Sequence, residues 1–63
     1  MLLKFTEAST KKTVAINPKS VDSVFTAPQG EYEGKTVVAI SSQPILVDES
    51  FEEVVGQING ALN

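Results

Sequence analysis

The residues best equipped for chemistry in this chain are four carboxylates, Asp48, Glu49, Glu52 and Glu53, crowded into one short segment. Oxygen ligands at that density can hold Ca²⁺ or Mg²⁺, but a calcium loop spaces its ligands at alternate positions around a central glycine. That spacing is missing here. The same acids straddle a helix start, where carboxylates meet free N–H groups and the positive end of the helix dipole. A structural role accounts for them, and no metal ion is expected. Ser9-Thr10 and Ser41-Ser42 offer hydroxyls, yet a hydroxyl becomes a nucleophile only beside a suitable base. The chain has no histidine and no cysteine, so only lysine or carboxylate could serve.

All five cations are lysines, and tryptophan is absent as well. Together these absences exclude disulfides, thiolate and imidazole metal sites, Ser-His and Cys-His catalysis, and bidentate guanidinium recognition of phosphate. No catalytic residue and no cofactor is expected, and the chain reads as a non-enzyme. Nucleic acid is not expected as a partner either. A nucleic-acid face is basic and often carries aromatics, whereas the net charge is −3 and the pI about 4.6. Lys11-Lys12 is a weak phosphate contact, and Gly30-Glu31-Tyr32-Glu33-Gly34 is too short and too acidic to cradle one. The charge is nevertheless lopsided, with Lys4, Lys11, Lys12 and Lys19 near the start and the acid cluster near the end.

The elements that position these groups follow from pattern and punctuation. Residues 2–7 and 13–16 carry β-formers around the polar run 8–12, which predicts a hairpin. Asn17-Pro18 stops the second strand, because proline cannot donate to a ladder and asparagine favours turns. Val21–Thr26 reads as a third strand, stopped by residues 27–30. Residues 35–41 form a fourth, and Ser42-Gln43 turns into a fifth over 44–47, with Pro44 at the strand start where it is tolerated. Ser50-Phe51-Glu52-Glu53 fits a capping box, in which Ser50 and Glu53 reciprocally satisfy helix N–H groups. After it Phe51, Val54, Val55, Ile58, Ala61 and Leu62 recur with helical period. The expectation is one α+β domain over residues 1–63: a five-stranded antiparallel meander, open or curled towards a small barrel, with one C-terminal amphipathic helix.

A helix covers one sheet face, yet the strands carry apolar residues on both. Val21 and Phe25 are expected to oppose Val24, and Val37 and Ala39 to oppose Val38 and Ile40. An open sheet therefore leaves an apolar face without an intramolecular partner. Size points the same way: burial is worth about 90 kcal/mol against about 95 kcal/mol for ordering the chain, which leaves no margin for the monomer. A homo-oligomer follows as the expectation, most simply a two-fold dimer, built on the face opposite the helix with Val24 and either Val37 or Val38. Tyr32 at a loop tip, with Glu49 and Glu52, is the candidate surface for a further protein partner.

The run Lys12-Thr13-Val14-Ala15-Ile16-Asn17-Pro18, then Val21, Val37-Val38-Ala39-Ile40 and Val47-Asp48-Glu49-Ser50-Phe51-Glu52-Glu53-Val54-Val55 resembles the FlbD-like group of very short bacterial proteins. In that group a strand ends in Asn-Pro, a hairpin follows, and V-x-E-S-x-E-E-V opens a C-terminal helix. The likeness spans nearly the whole chain, departing in a longer loop over 28–35. It implies a flagellar-locus or phage-borne accessory protein and transfers no catalytic residue. A small-barrel nucleic-acid-binding or regulatory protein is the alternative the strands permit and the charge opposes. No apolar stretch approaches the roughly 18 residues of a membrane span and no targeting segment is visible. A cytoplasmic protein is expected.

Overall fold

The computed structural model describes residues 1–28 and 30–62. Gln29, which the sequence assigns to the loop after the third strand, lies outside the described residues, as does Asn63. The strands are β1 (Leu3–Thr6), β2 (Thr13–Ile16), β3 (Val21–Thr26), β4 (Thr36–Ile40) and β5 (Gln43–Val47), followed by one helix, α1 (Phe51–Leu62). All strand pairs are antiparallel, so the chain is α+β.

The strands do not form one meander. β1 and β2 make a two-stranded sheet, and β3, β4 and β5 a three-stranded one in that order. The cause sits at Asn17-Pro18. Asn17 Oδ1 accepts from the Lys19 N–H at 3.0 Å and caps a single 3-10 turn, Pro18–Ser20, with Pro18 buried. Proline's missing N–H and fixed φ make that turn the favoured course, and it carries the chain away from β2 before β3 begins. The two sheets meet elsewhere, at the ends of β1 and β5. Glu7 and Val47 form a bridge, the Asp48 N–H donates to Thr6 O at 2.9 Å, and the Ala8 N–H donates to Leu46 O at 2.8 Å. β2 and β3 stay unpaired with each other, so the sheets are not closed into a barrel.

Phe5, Ile16, Val38, Val47, Val54 and Ile58 form the core, with α1 lying across one face of the strands. Val24 pairs with Val38, and Val38 with Ile45, so these three share the helix-covered face. Val21 joins them instead of standing with Phe25, because the register shifts between Val21 and Ser23. A bulge adds one residue and reverses the side-chain alternation beyond it. Only the middle of α1 is covered: Val54 and Ile58 are buried, while Phe51 and Leu62 at its ends are exposed.

The β4–β5 connection is Ser41-Ser42, one residue earlier than the Ser42-Gln43 turn expected from Pro44. Both serines have positive φ, 51° and 70°, as a two-residue hairpin whose twist matches its strands requires. Pro44 is then the second residue of β5. It sits on an end strand, pairs with Ala39, and turns its ring nitrogen away from β4.

Candidate interaction surface

On the side of the three-stranded sheet away from α1, Phe25, Val37 and Leu46 lie in one row across β3, β4 and β5, with Ser23, Ala39 and Pro44 in the next. The row is unevenly covered. Val37, in the central strand, is 5% exposed, whereas Phe25 in the end strand is 46% exposed. Beside them the chain folds back through residues 30–35, where the Ala27 N–H donates to Lys35 O at 2.7 Å and the Lys35 N–H to Tyr32 O at 3.0 Å. Gly30 and Gly34 hold positive φ in this reversal, 141° and 87°, angles that side-chain-bearing residues rarely adopt. The result is an open groove of about 320 Å³ whose floor is Phe25, Val37, Pro44 and Leu46 and whose wall is Tyr32. Glu31 beside Tyr32 raises the phenol above its ordinary pKa, first by accepting its hydrogen bond and then by its charge.

The three valines expected at an interface separate here. Val37 belongs to the uncovered side, while Val24 lies on the helix-covered face and Val38 is fully buried beneath α1. Val38 is therefore core, closed to a second chain. Phe25 takes the place that alternation along β3 assigned to a side chain opposite Val24.

The acid cluster disperses into structural tasks. Both oxygens of Glu49 accept from the Thr6 N–H, at 2.9 and 3.0 Å, and the Glu49 carbonyl accepts from the buried Thr36 hydroxyl at 2.7 Å. The sequence assigns Glu49 no intramolecular partner; the structure gives it Thr6, and this contact is the clasp that ties β1 to the start of α1. Asp48 is gripped by two lysines. Lys11 Nζ donates to Oδ2 at 2.8 Å, and Lys35 Nζ pairs charge with Oδ1 at 2.9 Å without a well-directed hydrogen bond. These cations hold the Asp48 carboxyl below its ordinary value, the Lys11 hydrogen bond first among the causes. Ser50 Oγ accepts from the Glu53 N–H at 3.1 Å, but the Glu53 carboxylate accepts from Gln57 instead of closing the capping box. Glu52 is exposed. Among the described residues no three carboxylates converge as metal ligands.

The pairs Thr6–Glu49 and Lys11–Asp48 join residues 43 and 37 positions apart, which no periodicity reveals. Phe25 had half a signal: it is the largest apolar residue of β3 and alternation sets it opposite Val24, but alternation does not show which of those two faces is the core. Among the described residues no helix is long and apolar enough to cross a membrane. No family model, no curated protein and no solved structure matches the chain.

Proposed function

We propose that this chain is a small non-enzymatic interaction and assembly module that works as a homo-oligomer in the cytoplasm, with copies meeting through the part of the three-stranded sheet that carries Phe25. The observation behind the reading is the row Phe25–Val37–Leu46. An aromatic side chain left 46% exposed at the end of an apolar row is the feature that association covers. The thin margin expected of a chain this short adds a thermodynamic motive, because binding a second folded copy stabilises the fold by mass action. A flagellar-locus or phage-borne accessory role fits the Asn17-Pro18 turn and the helix opening at Ser50, both of which are scaffold features.

The nucleic-acid-binding alternative draws support only from the lysines. Lys11 and Lys35 are both committed to Asp48, and the groove has Glu31 in its lining, so the surface beside Phe25 offers phosphate little attraction.

Light scattering coupled to chromatography tests the reading. The wild type should elute as a multiple of 6.7 kDa, and Phe25→Lys should elute as the single chain with its circular dichroism unchanged. A wild type that runs as one chain at every concentration would contradict it.

A further inference from the structure

We infer that the second copy pairs with β3 edge to edge, the two β3 strands running antiparallel about a two-fold axis at Phe25 and joining the three-stranded sheets into one of six strands. The inference rests on the self-association proposed above and names the partner and the contact. In an antiparallel ladder, residues alternately turn their N–H and C=O groups towards the neighbouring strand and away from it. The Ala27 N–H to Lys35 O bond sets the phase. Phe25 and Ser23 therefore exchange bonds with Val37 and Ala39, while Val24 and Thr26 turn their backbone groups outward from β4. The tight Ser41-Ser42 turn agrees, since it commits Ile40, Val38 and Thr36 to β5 and leaves Val37 and Ala39 for β3.

The other sheet edges are treated differently. β5 turns Pro44 outward, which has no N–H, and Leu46, whose carbonyl accepts from Ala8. β1 turns out Thr6, whose N–H goes to Glu49 and whose carbonyl goes to the Asp48 N–H. β2 is an open end strand, but Thr13 and Ala15 on its edge have no large exposed apolar neighbour within the strand. β3 is the end strand that combines outward amides with an exposed aromatic ring.

Its window is short and fixes its own register. On one side lies the bulge at Asp22, on the other Pro28, which cannot donate. Pairing Val24 with Thr26 of the second copy, and Thr26 with its Val24, uses all four outward N–H and C=O groups of each strand. Registers one step either way would place Thr26 opposite the bulged Asp22 or Val24 opposite Pro28, and lose bonds. With Phe25 at the centre, the two rings form a non-hydrogen-bonded cross-strand pair, the closest kind, on the same side of the joined sheet. The apolar row then runs Leu46–Val37–Phe25 and on through the second copy in reverse. Asp22 faces Pro28, so no carboxylate opposes another. A contact of so few residues makes a weak, concentration-dependent dimer.

Two variants and one measurement on the wild type decide the matter. Proline at position 26 deletes an N–H that faces away from β4, so Thr26→Pro should keep the fold and sediment as one chain at concentrations where the wild type is paired. Leu46→Lys, two strands from the edge, should stay paired. The reverse pattern, with Leu46→Lys single and Thr26→Pro paired, would overturn edge pairing while leaving self-association standing. A wild type that never exceeds one chain would overturn both. Should Thr26→Pro lose its circular dichroism, amide exchange in the wild type decides. Val24 and Thr26 should exchange about tenfold or more slowly in concentrated than in dilute solution, with Ser23 and Phe25 protected in both. Equal rates for Val24 and Thr26 at the two concentrations would overturn the inference.

Discussion

Phe25 and Val37 are direct cross-strand partners on the same side of the sheet, yet one is almost fully covered and the other nearly half exposed. Val37 has apolar neighbours on both sides, Phe25 and Leu46, whereas Phe25 has one only on the β4 side. Substitution should separate the two residues sharply. Val37→Ala removes about 1–2 kcal/mol of stability through lost burial. Phe25→Lys costs within about 1 kcal/mol in dilute solution while abolishing self-association. Urea unfolding at low and high protein concentration checks both halves.

Glu49 and Glu52 should also part company, although both are acids at the start of α1. Glu49→Ala leaves the Thr6 N–H without its acceptor and should cost about 1–2 kcal/mol. Glu52→Ala should stay within about 0.5 kcal/mol. Thr36→Val, which deletes the buried hydroxyl bonded to the Glu49 carbonyl, should cost about 1–2 kcal/mol as well. Thermal melts of the three variants measure this, and equal costs for Glu49 and Glu52 would deny that the clasp exists.

This contrast shows where the sequence could be read and where it could not. The helix and five strands were legible because local punctuation marks them: Asn17-Pro18, the loop before β4, and Ser50 as cap. Sheet membership was not, since it depends on where the Pro18–Ser20 turn sends the chain and on which strand β1 finds. The bulge at Asp22 was equally hidden, and it moves Val21 to the core side without altering the pattern of residue types. Glu49 looked like a solvated acid because its partner, Thr6, lies at the other end of the sequence. Of the expected interface valines, the alternation in β4 separated Val37 from Val38, but no sequence signal showed which of the two faces α1 covers.

The Asp48 clamp predicts a pH dependence. Its folded pKa lies below the ordinary value of 3.8 because Lys11 and Lys35 favour the carboxylate. A depressed carboxyl contributes stability that is present above the unfolded value and lost as pH falls through the folded one. The contribution is therefore constant down to about pH 4 and disappears below it. Lys11→Met should move the Asp48 titration midpoint upward, measured by carboxyl carbon shifts, and Lys35→Met less so. A midpoint unmoved by Lys11→Met would mean that the ion pair does not form in solution.

The Ser41-Ser42 turn holds two serines in the left-handed region, a conformation that costs an ordinary residue about 1 kcal/mol or more. Ser42→Gly should raise stability by about 0.5–1 kcal/mol, because type I′ hairpins favour glycine at their second central position. Calorimetric melting checks it, and a lower Tm for Ser42→Gly would mean that the turn is not of this kind.

The meeting of two copies at Phe25 is tested most directly by isotope-filtered nuclear Overhauser spectroscopy on a mixture of labelled and unlabelled chains at millimolar concentration. The ring protons of Phe25 in one copy should show contacts to Phe25, Val24 and Thr26 of the other, alongside diffusion slower than that of a 6.7 kDa chain. Single-chain diffusion with no contact between copies would contradict the account, as would contacts confined to Phe51 and Leu62 of α1.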